Sequence, residues 1–333
     1  MKTLEMIALM SIDLQLFAEP NTNVTTDTGL SVENKTHYDM TLIDEASPNL
    51  IHDQFGQKRP IPKGGGKKIE FRKFASLPKA TTPLTEGITP DGKKLSATSV
   101  EAEVAQYGDY VVMSDVLDLT ALDPIVVEAT KVCGRQAGLT LDTITRNILH
   151  SGTNVYYCPK SDGTAVTSRA GLDATCKLTV DVVKRCAAIM KKNNAPKIDG
   201  SYVMIVHPFV AYDIMTDDEW RYPHQYQDTT EIYEGEIGKI AGVRFVETSE
   251  AKIYDGGVFG SLLIADGAYG VTEVSGGGLQ TIIKQLGSGG TSDPLNQRSS
   301  VGWKAMKTAE ILVEPYLMRI ESKSAMSGEA EAN

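Results

Sequence analysis

The feature that most constrains this chain is a long polar connection between two strand patterns. One strand pattern begins at Ile69, Phe71 and Phe74, and a second lies between Val100 and Val112, where apolar residues fall on alternate positions at Val100, Ala102 and Val104 and again at Tyr110 and Val112. Between them, Pro78 to Ser99 is rich in Thr, Pro and Gly and has no periodicity. A structureless connection of roughly 20 residues is unusual inside a compact domain, so we predict a protruding hairpin. Because an isolated hairpin is at best marginally stable in water, it needs another surface to lie on.

The longest helix signal runs from Pro124 to His150. Asp123 can cap its N-terminus, with Pro124 in the first turn. Gly134 and Gly138 weaken the helix by up to about 1 kcal/mol each relative to Ala. At about 1.5 Å per residue the predicted helix is about 40 Å long and suits a structural spine. Its apolar or small residues recur at spacings of three and four, on one face: Val126, Ala129, Val132, Cys133, Ala137, Leu141, Ile144 and Ile148.

Alternating strand and helix patterns then predict a compact α+β or α/β domain. Thr179 caps a helix, Tyr202 to Val206 is a buried strand, and His207-Pro208 opens a short helix. Residues 153–176 are expected to form a loop or small hairpin. Further strands are predicted at Val243 to Val246, Leu262 to Ala265, Gly270 to Val274, Leu279 to Leu286 and Ala309 to Ile320. The polar tail from Ser324 to Asn333 is expected to fray.

Composition narrows the functional classes. The formal net charge is -10, which argues against a dedicated nucleic-acid-binding protein, because such domains usually carry a basic excess. The sequence has no run of about 18 apolar residues, so we expect no membrane-spanning helix. The four cysteines lie far apart without a C-x-x-C pair. We expect them to be reduced and mostly buried.

No set of residues in the sequence indicates catalysis, and we expect neither a metal nor a cofactor. The glycine clusters lack the spacing of a phosphate-binding loop, and the five histidines form no metal-binding pair. His207 is better explained as a helix-entry residue than as a general base. The acids Asp217, Asp218 and Glu219 are predicted to be a solvated loop beside Trp220. The basic stretch from Lys58 to Lys73 is more consistent with a surface that meets an acidic neighbour than with a nucleic-acid site.

Several stretches together resemble one protein family, the Hong Kong 97-type major capsid proteins of tailed bacteriophages. In detail they look like the coat proteins of N-four-like podoviruses and many prophages. MSIDLQLFAE, from Met10, looks like the usual beginning of phage coat proteins, so the first nine residues are expected to be an extension. The other stretches are TEGITPDGKKLSATSVEAEVAQYGDYVVMSD (85–115), YVMIVHP (202–208), EGEIGKIAGVRFVETSEA (234–251) and SVGWKAMKTAEILVEPYLMRIES (300–322).

The resemblance implies an α+β capsid fold in five parts. Residues 1–65 would be an N-terminal arm, and 66–112 an E-loop hairpin that lies across the adjacent subunit. Residues 113–152 and 269–323 would form a P-domain around the spine helix. Residues 153–268 would be an A-domain, followed by a flexible tail at 324–333.

The resemblance also implies a function. The chain would assemble with itself through pentamers and hexamers into an icosahedral shell around double-stranded DNA. Scaffolding and portal proteins would be further partners, contact with DNA would be non-specific, and no membrane would be involved. Assembly would take place in the host cytoplasm, and the finished protein would lie in the virion. Three alternatives remain: the shell of an encapsulin-like nanocompartment, an enzyme of unknown class, and a phage tail or decoration protein, which would form tubes or trimers.

Subunit contacts are the candidate functional residues. They lie in three groups, at the base of the hairpin, near its tip, and on a loop of the A-domain that we expect to be exposed. The residues are Lys67, Lys68, Arg72 and Lys73 at the base, Glu86, Asp91, Lys93 and Lys94 near the tip, and Asp217, Asp218, Trp220 and Arg221 on the loop.

Overall fold

The computed structural model describes most of the chain after residue 50. The described residues are 22–23, 51–62, 64, 66–74, 77–84, 86–89, 91–120, 125–220, 238–273, 279–289 and 293–333. Most of the predicted arm, the proposed cap Asp123, Pro124 and Arg221 lie outside these ranges. The helices are α1 (Asp115–Thr120), α2 (Ile125–Leu149), α3 (Val180–Lys192) and α4 (Pro208–Thr216).

Fifteen strands are present among the described residues. The first eight are β1 (Thr22–Asn23), β2 (Gln57–Lys58), β3 (Lys68–Phe74), β4 (Ala97–Glu103), β5 (Ala105–Ser114), β6 (Val155–Tyr157), β7 (Tyr202–Val206) and β8 (Lys239–Ile240). The others are β9 (Val243–Glu247), β10 (Ile253–Tyr254), β11 (Val258–Ile264), β12 (Tyr269–Glu273), β13 (Gln280–Lys284), β14 (Arg298–Ile311) and β15 (Leu317–Ser322).

The chain divides into two compact units. Unit 1 comprises residues 1–43, 108–134 and 281–303, and unit 2 comprises residues 44–107, 135–280 and 304–333. Helix α2 and strand β14 contribute residues to both units.

Unit 2 is built on a seven-stranded mixed sheet in the order β6-β15-β11-β7-β9-β8, with β10 added beside β11. Both faces of its central strands are buried. Met204 and Val206 of β7 join one apolar cluster, with Leu263 of β11 and with α3. Ile205 and Leu262 point the opposite way, into a second cluster that also contains Leu149 of α2. Since successive strand residues face opposite sides, this alternation explains why the central strands are apolar throughout.

A buried polar network holds residues 51–53 against α2. The His52 backbone N–H donates to Asp142 Oδ1 at 2.9 Å, and His52 Nδ1 lies 2.6 Å from Asp142 Oδ2. Asp53 accepts a hydrogen bond from Thr145 at 2.6 Å and pairs with the buried ammonium of Lys307. Buried charges are costly unless they are paired and hydrogen-bonded, so this network fixes where the chain enters unit 2.

His150, at the end of α2, is enclosed by positive charges. Its Nδ1 lies 3.1 Å from the Tyr254 hydroxyl. Burial lowers the pKa of His150 well below its usual range, and nearby His52, Arg319, Arg146 and Lys252 lower the pKa further. The ring is therefore neutral in the folded protein at neutral pH.

A six-stranded sheet contains β1, β5, β14, β12 and β2, with β13 beside β14. Unit 1 includes β5 from Gly108 onward and β14 as far as Trp303. Strand β1 pairs with β5, and β13 pairs with β14. Gly302 of β14 faces β5 so closely that a Cβ there would lie 2.7 Å from Tyr110 Cβ and 2.9 Å from Asp109 O. Only glycine fits this approach between the two strands.

Several sequence predictions are confirmed. The long helix runs from Ile125 to Leu149. Thr179 caps α3, where its side chain accepts a hydrogen bond from Val182 N at 3.5 Å. The strand at Tyr202–Val206 and the short helix after His207 are both present. All four cysteines are buried and free.

Other predictions are wrong or not fully confirmed. The single strand expected from Ala309 to Ile320 is interrupted at Pro315, which has no N–H to donate, and its two parts belong to different sheets. The pattern from Val100 to Val112 is divided between β4 and β5. Of the two alternatives for residues 153–176, the loop is mostly correct and the hairpin is not, since the segment contains one short strand, β6, and no second strand. Fraying of the tail stays a prediction, and in the structure Asn333 N donates to Ile253 O at 3.2 Å while its side-chain amide donates to Ala251 O.

Replacing Gly302 by Ala is predicted to destabilise the subunit by about 1–3 kcal/mol, because the new methyl group overpacks against Tyr110. Gly134 provides a matched control in the same unit, since a Cβ there meets nothing within 4 Å. Gly134→Ala should be neutral or stabilise by up to about 1 kcal/mol through helix propensity. Urea unfolding of dilute, unassembled subunits measures both. Equal effects of the two substitutions would contradict this packing.

Stability is also predicted to fall as the pH drops below about 6.5, the value for His in an unfolded chain. The unfolded state binds a proton there that the folded state with neutral His150 does not, so the loss approaches about 1.4 kcal/mol per pH unit. Burial also lowers the pKa of His207, which therefore contributes to the same pH dependence. The share of His150 is found by comparing the unaltered protein with His150→Asn in urea unfolding at pH 5 and pH 7. The variant should have the smaller pH dependence, and an unchanged one would refute this role for His150.

Candidate contact surfaces

The base of the hairpin is anchored in unit 2 by one aromatic side chain. Strands β3 and β4 pair antiparallel, with Phe71 opposite Val100. Phe71 is buried, and its ring packs directly against the backbone of Gly270. A Cβ on Gly270 would lie only 2.9 Å from the ring. Ala102 of β4 is buried as well. The hairpin therefore leaves the body from a fixed position.

The predicted basic contacts at this base are mostly exposed and partly paired within the hairpin. Lys67 is exposed. Lys68 lies 3.4 Å from Glu101 of the opposite strand, and Arg72 lies 3.0 Å from Glu70. Hydrogen bonds from Arg72 and Ser99 lower the pKa of Glu70. Lys73 belongs to β3, but its side chain lies outside the described residues.

The connection between β3 and β4 lies in solvent. Its described residues, 77–84, 86–89 and 91–96, contain neither helix nor strand, and every one of them is exposed. No backbone hydrogen bond joins any of these residues to another described residue. Glu86, Asp91, Lys93 and Lys94, the contacts predicted near the tip, all lie on this exposed segment.

The same connection carries four large apolar side chains that sequence reasoning missed. Leu77, Leu84, Ile88 and Leu95 are 52%, 78%, 67% and 70% exposed. Single exposed leucines are common on protein surfaces, but four on one short segment without secondary structure form an unburied apolar set. The sequence alone could have indicated them, because they are the large aliphatic residues in an otherwise polar stretch. They were overlooked because their spacing follows neither a helix nor a strand period. We call residues 77–96 the exposed connection.

The predicted contacts at 217–221 are placed differently from what we expected. Asp217 is half-buried and structural: its carboxylate accepts hydrogen bonds from Val180 N at 2.9 Å and Glu219 N at 3.1 Å. Trp220 is only 6% exposed and belongs to the core of unit 2. The expectation that it lies on an exposed loop is wrong, because its indole packs inward. Asp218 is exposed, and Arg221 lies outside the described residues.

The described residues offer little for chemistry. Among them, no three His, Cys, Asp or Glu side chains cluster so as to hold a metal ion. His207 is at the entry of α4, where its Nδ1 accepts a hydrogen bond from Phe209 N at 3.1 Å, as predicted. Unit 1 has an open cavity of about 550 Å³ between β5, β13 and β14, with Asp109, Tyr110 and Lys284 as its ionisable lining. No helix in the described part of the chain is long and apolar enough to cross a membrane.

The decisive comparison is with known families. The sequence profile of the phage capsid protein family matches residues 4–270, well over half of the chain. This chain belongs to the phage capsid protein family. A comparison with curated protein sequences gave no match.

The fold of this capsid protein is that of solved phage shells. It is similar to the capsid structure of cyanophage P-SCSP1u, with a TM-score of 0.62, 15% identity, and 81% of this chain and 87% of the other covered. It is also similar to the capsid of cyanophage Pam1, with a TM-score of 0.61 and 14% identity; the match covers 78% of this chain and 86% of the other. For the capsid of Ralstonia phage GP4, the TM-score is 0.58 and the identity 14%, and the match covers 81% of this chain and 87% of the other.

Family and fold together confirm two predictions, the α+β capsid fold of the Hong Kong 97 type and the role as a major capsid protein. The capsid protein forms the phage shell by assembling with copies of itself, and it is located in the virion capsid. The division into arm, E-loop, P-domain and A-domain, the individual contact residues and the closer likeness to N-four-like coat proteins stay predictions.

Proposed function

We propose that this capsid protein assembles through pentamers and hexamers into an icosahedral shell around double-stranded DNA. In this shell the hairpin of residues 66–112 lies across the adjacent subunit. The observation that supports this most is the exposed connection, with its four unburied apolar side chains. It is attached to a well-packed body but has no partner within the described part of its own chain.

Energetics favours a partner for this segment. Fully burying one Leu or Ile side chain contributes about 1.5–3 kcal/mol, and four such side chains lie on the exposed connection. Ordering the backbone costs about 1–2 kcal/mol per residue, so the apolar contacts must be supplemented by hydrogen bonds and ion pairs with the receiving surface. Glu86, Asp91, Lys93 and Lys94 provide charges of both signs for such pairs.

The proposed contact between the hairpin of one subunit and the surface of the next favours the assembly of rings. A hairpin on one copy and its receiving surface on the next are different patches, which makes the contact heterologous. Repeated heterologous contacts close into rings when the rotation between neighbours allows it. Pentamers and hexamers are the rings from which we expect the shell to be built.

The net charge of -10 suits a container rather than a DNA-binding protein. Repulsion between subunits of net negative charge and DNA phosphates would keep contact with packaged DNA weak and non-specific. Scaffolding and portal proteins are the further partners that we propose, and the host cytoplasm is the proposed site of assembly. The role is structural, without enzymatic activity.

The exposed connection is predicted to be needed for assembly and dispensable for folding. Leu84→Ser combined with Leu95→Ser should abolish shells in negative-stain electron microscopy, because the neighbour loses its apolar contacts. The unfolding free energy of the dilute subunit should change by less than about 0.5 kcal/mol, as for other exposed positions.

The matched control is Thr81→Ala with Thr89→Ala, which alters two exposed polar residues of the same segment. This control should assemble normally. Shells formed by the double leucine variant at wild-type yield would contradict the proposal, and so would a large loss of its subunit stability.

A further inference from the structure

The strand β13 is exposed on both faces. All five of its residues are exposed, and Ile282 and Ile283 are 38% and 49% accessible. Adjacent strand residues point to opposite faces, so these two side chains leave an apolar surface on each side. Among the described strands β13 pairs with β14 alone.

This edge has few of the features that keep sheet edges from pairing. Natural edge strands are usually protected by charged residues, proline or a bulge. In β13 the central residues Thr281, Ile282 and Ile283 are all uncharged and β-branched, which favours strand pairing. The strand has one charge, Lys284, at its end. An edge of this kind is a template for another strand.

We infer that β13 pairs antiparallel with β13 of a second copy across a two-fold axis in the shell. The inference rests on the proposed function, because the shell supplies the second copy. It adds an isologous contact, in which the same patch serves both partners, to the heterologous contact of the hairpin.

The sequence of the strand selects one register. Two-fold symmetry requires some residue to lie opposite its own copy. Centring the pair on Ile282 matches all five residues: Ile282 meets its copy, Thr281 meets Ile283, and Gln280 meets Lys284. No like charges face each other, and the Gln280 carbonyl can accept a hydrogen bond from the ammonium. Centring on Ile283 would place both Gln280 and Thr281 opposite residues beyond the end of β13 and set Ile282 against Lys284.

Cysteine cross-linking tests this register. Residues directly opposite in an antiparallel pair have Cα atoms about 4.5–5.5 Å apart, within the range of a disulfide, whose limit is about 7 Å. Shells of the Ile282→Cys variant, mildly oxidised, should therefore give a dimer band that replaces most of the monomer on a non-reducing gel. The four native cysteines are buried, which keeps their background low.

Two variants act as controls. Thr281→Cys alone should stay monomeric, because its copy lies two residue positions further along the opposite strand and beyond disulfide range. Thr281→Cys combined with Ile283→Cys should cross-link, since these positions face each other. A dimer from Ile283→Cys alone, without one from Ile282→Cys, would overturn the register.

Electron microscopy separates failure of this inference from failure of the proposed function. Intact Ile282→Cys shells without a dimer band overturn the β13 pairing and leave the proposed function untouched. Absence of shells from the unaltered protein under every assembly condition, with a scaffolding protein included, overturns both. If Ile282→Cys alone prevents assembly while Val116→Cys, at an exposed position in the same unit, permits it, and both subunits keep their unfolding free energy, the pairing is supported.

Discussion

The proposed assembly depends on one segment whose backbone and apolar side chains have no described partners in their own chain. The exposed connection, residues 77–96, contains neither helix nor strand in its described part, and no backbone hydrogen bond joins its described residues to others. A conformation of this kind gains order only when another surface provides the contacts, because ordering each residue costs conformational entropy. In the proposed assembly, unit 2 is the packed support that presents this segment to a neighbouring subunit.

The base of the hairpin is packed against unit 2. The ring of Phe71 fills the space that a side chain at residue 270 would need, and glycine at that position lets the ring pack there. Residues 52 and 53 are held against α2 by the ion pair of Asp53 with Lys307 and by the hydrogen bonds between His52 and Asp142. Such a network contributes more to the uniqueness of the arrangement than to stability, because desolvation offsets most of the attraction. The two-sided core of the seven-stranded sheet provides the stability.

Sequence patterns predicted the elements whose signals are local. The period of the long helix, the cap at Thr179 and the apolar run at Tyr202–Val206 each describe one element by itself, and each was confirmed. Contacts between distant segments were not predictable in the same way. Nothing near Trp220 in the sequence indicates that its indole packs inward. The tail was expected to fray because it is polar, yet Asn333 bonds to residues 251–253, far away in the sequence.

The candidate surface was found in outline but not in chemical detail. The long polar connection predicted a protruding hairpin that needs a partner, and charges were chosen as its contacts. The structure adds the four exposed aliphatic side chains, whose accessibility depends on the lack of any core beside them. Aperiodic apolar residues give no sequence signal of burial or exposure, so coordinates were needed to identify them.

Hydrogen–deuterium exchange of the free subunit and of the assembled shell tests most directly whether the exposed connection becomes ordered on another copy. The account predicts fast amide exchange for residues 77–96 in the subunit and marked protection of the same residues in the shell. Strands β7 and β11 should be protected in both states. Equal exchange of residues 77–96 in subunit and shell would contradict the account.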